Sequence, residues 1–417
     1  MQQKMVKQRK QGRILAFVLA VCLLAGCGNA QNTQAGPSSA SATQQAAPSA
    51  EPTALPAPAK DPLSEIIAAM PLREKVGQLF LVRPDALDFT LPQDQINDAK
   101  ANGATALTAD MKLNLADYPV GGIVLFGKNI TDPDQLTQQI ADWQAASAIP
   151  LLVGVDEEGG QIARIANDPA FSVPQYESAY AVGAGGQPQD AQEMGRTIGT
   201  YLAQYGFNLD FAPDADVNTN PDNPVIGTRA FSDDPAVAAG MVAAAVAGFH
   251  EAGMACTIKH FPGHGDTAQD SHVGCATTDK TWAELQSCEL LPFATGIAAG
   301  ADLVMAGHIT TPNATTDGLP ASLSKEMLTD CLRRNLGFTG IIITDSLAME
   351  AITDFYTPAQ AACTAIQAGV DLLLMPNGLR EAYDGVLQAV ESGEISEERI
   401  DESLLRILTL KQKYGLL

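Results

Sequence analysis

The strongest constraint in this chain is a rhythm. From residue 61 onward, short apolar, β-rich runs alternate with stretches of helical pattern; the runs cover residues 76–82, 122–126, 151–156, 207–211, 255–261, 303–309, 340–345 and 370–375. Segments between them, such as 134–147, 190–205, 235–252, 282–300 and 358–368, are long and Ala-rich enough to be crossover helices. The runs are nearly continuously apolar, as parallel strands covered on both faces require. Eight such units with no Pro/Ser-rich break predict an α/β fold, a single (β/α)8 TIM-type barrel over residues 61–417. A doubly wound open sheet is the alternative, but no G-x-G-x-x-G follows the first strands. The segment 84–119 is longer than one helix needs and predicts an extra hairpin or helix near the barrel rim.

The chain ahead of this body is of another kind. Residues 1–26 carry Lys4, Lys7, Arg9, Lys10 and Arg13 and no acid, and the apolar run 14–24 is too short to span a bilayer comfortably as a mature helix. That is the layout of a secretory signal. Its end, Leu24-Ala25-Gly26-Cys27, resembles a bacterial lipobox, in which the Cys27 thiol accepts diacylglycerol. An ordinary cleavage site beside an incidental Cys is the plainer alternative. Acyl chains on Cys27 imply a lipid-anchored protein on the extracytoplasmic face of the cell membrane, without a transmembrane helix. Residues 27–60 are Ala, Ser, Thr, Gln and Pro almost throughout, with Leu55 the only large aliphatic residue; such a segment is expected to be a disordered linker.

Lys and Arg number 25 against 48 Asp and Glu, a net charge of −23, which excludes a nucleic-acid partner because no basic surface is present to release counterions. Past Cys27 come Cys256, Cys275, Cys288, Cys331 and Cys363, too few for a disulfide scaffold and odd in number. A Cys275–Cys288 bridge and half-buried free thiols are both open.

Polar residues gather where the runs end, the face on which such barrels carry their active sites. The third run ends in Asp156-Glu157-Glu158-Gly159-Gly160 and continues to Arg164; the fourth leads through Asp210 to Asp214, Asp216 and Asn218. The fifth ends in Lys259-His260-Phe261-Pro262-Gly263-His264-Gly265-Asp266, the sixth at His308 and the seventh at Asp345. One buried Lys or Asp is more often a satisfied core pair, but charged groups ending five consecutive strands point to a site. His250 falls in a helical stretch and is expected at the surface.

After His264, Gly263 and Gly265 permit a projecting loop that carries Asp270 and His272. An Asp two residues from a His can accept its N–H, fix its tautomer and raise its basicity, which makes a general acid/base. The rival is a metal held by His264, Asp266, Asp270 and His272; their spacing matches no metal signature, and no metal or other cofactor is expected. Asp345, directly after an apolar strand, is either a nucleophile or the N-cap of the next helix. A strand-end carboxylate opposite a mobile acid/base is the constellation for glycoside cleavage with retention.

The motifs Pro71-Leu72-Arg73-Glu74-Lys75-Val76-Gly77-Gln78-Leu79, Val120–Phe126, Val155–Gly160, Phe211-Ala212-Pro213, Asn223–Phe231, Lys259–Gly265, Asp270-Ser271-His272 and Ile343-Thr344-Asp345-Ser346 occur in the order found in one family. Over residues 63–417 the chain resembles glycoside hydrolase family 3, in its bacterial β-N-acetylglucosaminidase branch. The resemblance implies Asp345 as the nucleophile, His272 as acid/base oriented by Asp270, and Asp156, Arg164, Arg229, Lys259 and His260 as binders of sugar hydroxyls. It implies an exo-acting retaining β-N-acetylhexosaminidase that removes terminal GlcNAc from peptidoglycan fragments or related glycans, acting as a monomer on a carbohydrate substrate. A phosphorylase of the same design, a β-glucosidase or β-xylosidase of the same family, and a sugar-binding lipoprotein without turnover are the alternatives. The acidic series Asp210, Asp214, Asp216, Asn218 only superficially echoes the D-x-x-D-x-D-x-E signature of substrate-assisted chitinases, so that mechanism is not expected.

Overall fold

In a computed structural model, which describes residues 62–269, 274 and 276–417, the apolar runs form eight parallel strands. They are β1 (Phe80–Val82), β2 (Gly122–Val124), β3 (Leu152–Val155), β4 (Leu209–Asp210), β5 (Ala255–Phe261), β6 (Leu303–Ala306), β7 (Ile341–Thr344) and β8 (Leu373–Leu374). Every strand residue is buried, which is why these runs lack the alternation of a one-sided sheet. Neighbours pair in chain order from β1 to β7, and β8 takes the free edge of β1. A bridge between Ile343 and Leu372, with the Thr344 amide donating to the Leu372 carbonyl at 3.1 Å, brings β7 to β8 and nearly closes the ring. The α/β fold is thus an eight-stranded parallel barrel. The signal segment 1–26, the linker 27–60 with Cys27, and Asp270, His272 and Cys275 lie outside the described residues.

The crossover helices start and stop on local chemistry. Pro133–Ala146 and Pro235–Glu251 each begin with Pro at the first helical position behind an Asp, Asp132 and Asp234, whose carboxylate accepts two free backbone amides. Pro358–Ala368 uses a capping box between Thr357 and Gln360, and ends at Gly369 with φ 116, a conformation other residues adopt only with strain.

Where the structure departs from the periodicity, a polar side chain explains it. The first strand starts at Phe80 and not at residue 76, because Leu72–Gly77 is helical and Lys75 is held at 2.7 Å by both Glu397 and Asp401. The helix expected over 282–300 is two, Trp282–Ser287 and Leu290–Ala298, divided where Glu289 turns its buried carboxylate to Lys280. The sixth run stops at Ala306, and Ile309–Thr310 pairs instead with Ala276–Thr277. The 84–119 segment folds as helical pieces, Pro84–Leu87, Gln93–Asn97 and Ala109–Asp117, gathered on the buried Asp85, which accepts from Asn129 Nδ2 at 2.8 Å and from the Ala104 amide at 3.0 Å. Cys256, Cys288, Cys331 and Cys363 are free thiols among the described residues, and the Cys275–Cys288 bridge that spacing allowed involves Cys275, which lies outside them.

The helix Glu397–Lys413 lies under the N-terminal ends of the strands and makes the barrel's floor. Ser403 donates to Asp371 Oδ1, just before β8, at 2.7 Å, and Lys413 reaches Asp302, just before β6, at 2.5 Å. Lys411 is wholly buried and donates to Gln78 Oε1 at 2.7 Å and to the Gly121 carbonyl at 3.1 Å, just before β1 and β2. Among the described residues no carboxylate pairs with it, and burial pushes its ammonium down to about 7 from 10.5. The folded state therefore disfavours the charge: below the folded pKa the barrel bears a buried cation, and between the two values the unfolded chain binds the extra proton. Stability from this group must rise with pH across that window. Comparing urea midpoints of the protein and Lys411→Met, the difference should move in favour of lysine by roughly 2 kcal/mol between about pH 7 and pH 9; a constant difference excludes the shift.

Candidate active site

At the opposite, C-terminal mouth the polar strand ends line one cavity of ≈ 920 Å³, room for a small ligand. Its walls include Asp156 and Glu158 after β3, Lys259, His260 and His264 from β5 and its loop, Arg229 from the Gly227–Arg229 turn, Met305 of β6, and Asp345 after β7. The pairing of β5 with β6 shifts register between Ile258 and Phe261, and the successive side chains of Lys259 and His260 both reach the cavity.

Glu158 is the hub of the wall. Arg229 grips it with two bonds, Nε to Oε2 at 2.8 Å and Nη2 to Oε1 at 2.7 Å, while Lys259 Nζ lies 2.7 Å from Oε1 and 2.8 Å from Asp156 Oδ1. Burial would raise the Glu158 carboxyl, but Arg229 and Lys259 outweigh it and hold it below the usual carboxylate range. Asp156 is treated alike by burial, Lys259 and Arg164, and its net shift is also downward. Lys259 loses by burial and gains more from these two acids, so it stays an ammonium. Arg164 stands 3.7 Å from Asp156 with its guanidinium over the Phe126 ring.

The neighbouring residue of the acidic doublet does a different task. Glu157 points under the Glu157–Ala163 ribbon, where its carboxylate accepts from the amides of Arg164, Ile165 and Ala166 and from the Tyr201 hydroxyl at 2.7 Å. Those bonds fix the turn that presents Arg164.

His260 donates from Nδ1 to Asp216 Oδ2 at 2.8 Å, leaving Nε2 with a lone pair that faces Arg229 Nη2 at 3.2 Å. Burial first, then Arg229, push its pKa down to about 4, so a neutral Nδ1–H imidazole is fixed. Asp216 also accepts the His264 amide at 2.6 Å and thereby ties the loop after β5 to the loop after β4. Only Gly fits at 265, since a Cβ there would meet the Val217 carbonyl oxygen at 1.9 Å. Asp214, Asp216 and His260 are close enough to share a cation, but Arg229 stands 3.8 Å from Asp214 and occupies the electrostatic niche. Of the rival metal set, His264 binds Thr267 and Asp266 turns to Lys280 and Thr278, so these two do not converge.

Asp345 is half-buried at the end of β7, its backbone amide bonded to the Ala306 carbonyl at 2.9 Å and its Oδ1 accepting the Ser346 amide at 2.7 Å. It does not cap a helix: the next one, Glu350–Thr353, begins behind Met349 with no side-chain cap. His308 donates from Nε2 to the Ser346 carbonyl at 2.8 Å and accepts the Ser322 hydroxyl at Nδ1, at 2.7 Å, bracing the residue next to Asp345 from below. The structure therefore brings together Asp156, Arg164, Arg229, Lys259, His260 and Asp345, and leaves Asp270 and His272 outside the described residues. His250 is no plain surface residue, for it bonds Asp302 at 2.9 Å on the floor side. Residue order marks Glu158 and Asp216 as strand-end charges without assigning them a role; the structure gives each one, Glu158 at Arg229 and Asp216 at His260.

Removing the hub charge leaves two buried cations facing each other. Glu158→Gln is expected to destabilise the fold by about 3 kcal/mol or more, measured by denaturant unfolding, whereas an unchanged midpoint contradicts the hub role.

The chain as a whole has relatives among known proteins. The family model for the glycosyl hydrolase family 3 N terminal domain matches residues 71–410. A protein named beta-hexosaminidase A from Pseudoalteromonas piscicida is 35% identical over 337 residues, covering 74% of this chain and 56% of that protein. A beta-hexosaminidase from Idiomarina loihiensis is 35% identical over 305 residues, covering 72% of this chain and 90% of that one. The solved structure of a glycoside hydrolase family 3 beta-N-acetylglucosaminidase from Paenibacillus sp. str. FPU-7 superposes with a TM-score of 0.76 at 38% identity, over 84% of this chain and 63% of that one. The chain thus spans a little over half of the first of these proteins and most of the second. It belongs to glycosyl hydrolase family 3.

Proposed function

We propose that this chain is an exo-acting, retaining β-N-acetylhexosaminidase that releases terminal β-linked N-acetylglucosamine. One observation carries the reading: the Asp345 carboxylate shares a cavity with a wall of fixed hydrogen-bonding groups, Asp156, Lys259, His260 and Arg229, whose charges are set against each other. Such a wall rejects a sugar lacking the matching hydroxyl because buried polar groups are then left unpaired. The names borne by the relatives support the N-acetylated sugar.

In the first step an Asp345 oxygen attacks the anomeric carbon, the glycosidic C–O bond breaks, and the leaving oxygen takes the proton of His272. In the second, His272 takes a proton from water, the water oxygen bonds to the anomeric carbon, and the ester to Asp345 breaks. Asp270 positions the imidazole in both steps. His260, neutral with its Nε2 lone pair turned to Arg229, binds and does not transfer protons. We also read the basic head and Cys27 as an export signal and lipid anchor, with 27–60 as spacer and peptidoglycan fragments as the exported glycan.

Matched nitrophenyl β-glucoside, β-xyloside and β-N-acetylglucosaminide test the substrate. The last should be cleaved at least about tenfold more efficiently, and preference for either plain sugar rejects the proposal. Asp345→Asn should lose roughly a thousandfold or more in kcat, and sugar-1-phosphate should not form when phosphate is added.

A further inference from the structure

On the floor of the barrel, far along the strands from the sugar cavity, a second cluster of reactive side chains has no part in the chemistry above. Cys256 is the second residue of β5 and wholly buried; Asp302 immediately precedes β6, the parallel neighbour of β5. His250 sits in the last turn of Pro235–Glu251, the helix that leads into β5. We propose that His250, Cys256 and Asp302 form a binding site for a divalent transition-metal ion of borderline softness, of which zinc is the type.

The three donor atoms form a small triangle. His250 Nε2 lies 2.9 Å from Asp302 Oδ2, and Cys256 Sγ lies 3.8 Å from the first and 3.9 Å from the second. A tetrahedral ion with bonds of about 2.0 Å to nitrogen and oxygen and about 2.3 Å to sulfur needs edges of roughly 3.3–3.5 Å. Each edge is therefore within about half an ångström of the required length, and no backbone has to move far. A nucleophilic triad is a different arrangement, with the acid on Nδ1 and the thiol on Nε2. Here thiol and carboxylate both face Nε2, which suits a chelate and not a proton relay.

The surroundings suit a ligand set. Tyr414 donates its hydroxyl to Asp302 Oδ2 at 2.7 Å, the Cys256 amide reaches the same oxygen at 3.2 Å, and Lys413 holds Oδ1 at 2.5 Å, so the carboxylate is oriented by outer partners. Among the described residues Lys413 is the cation paired with Asp302 besides His250; its side chain is 48% exposed and can turn to solvent. Burial, then Asp302, push the Cys256 thiol well above its ordinary value. On binding, the thiol proton leaves to solvent, the imidazole carries its hydrogen on Nδ1, and thiolate and carboxylate together neutralise the ion. As a mere hydrogen-bond cluster the site leaves the sulfur with only long contacts.

The test uses the full, tag-free chain, stripped with EDTA and dialysed. Titration with Co²⁺ should give the near-ultraviolet thiolate-to-cobalt charge-transfer band, lost in Cys256→Ser and retained in Cys288→Ser. Zn²⁺ should displace the cobalt and raise Tm, and His250→Gln, at a half-exposed position that leaves the strands untouched, should weaken cobalt binding at least about tenfold. Absence of the band in the unaltered protein, or its survival in Cys256→Ser, overturns the proposal. So does cobalt binding without a thiolate band, since Asp214, Asp216 and His260 contain no sulfur.

Discussion

The candidate site depends on one interaction, the Glu158 carboxylate lodged between Arg229 and Lys259. Removing three charges from water is expensive, and Coulomb attraction offsets that cost only when the geometry is good and the remaining lone pairs are satisfied. Both conditions hold: Arg229 is bidentate, and the ammonium is shared between Glu158 and Asp156. The arrangement joins the end of β3, strand β5 and the turn before Phe231, which the backbone ladders do not connect directly. Its value lies in holding donors and acceptors at fixed positions, more than in stability.

That fixity extends outward in layers. The Glu157–Glu158 doublet splits its two carboxylates, one to the ribbon beneath and one to the cavity, as successive residues of an extended segment must. Burial, and then Arg229 with an N–H aimed at the lone pair, keep His260 neutral, and Asp216 holds the other nitrogen. His308 does for the Asp345 side what Asp216 does for the Lys259 side, bonding the Ser346 carbonyl. Behind this wall, burial and then Asp216 push the Asp214 carboxyl up to about 7, and burial pushes Asp216 itself up to about 6.

Much of this was readable from residue order. Strand β5 and the helix Pro358–Ala368 run over the residues that periodicity marks, because each has strong boundaries: an apolar strand ending at Pro262, and a Thr-Pro start with a Gly stop. The positions of Asp156, Lys259, His260 and Asp345 at strand ends follow from the same pattern. Periodicity misjudged elements whose ends are set by distant polar partners. Lys75 belongs to a helix because Glu397 and Asp401 wait for it, and Glu289 breaks a helix to meet Lys280; neither partner is visible locally. Glu158 and Asp216 are legible as strand-end charges, but their roles exist only once Arg229 and His260 have been folded against them.

The floor helix carries a consequence for the order in which the barrel is assembled. Lys411 closes on Gln78 across 333 positions of sequence, and Ser403 and Lys413 close on the residues that introduce β8 and β6. A nascent chain that has emerged only as far as β8 has its strands but lacks the piece that plugs their lower ends. Vectorial synthesis therefore leaves the barrel open at its base until residues 397–413 arrive, and contacts of such long sequence separation are slow to form.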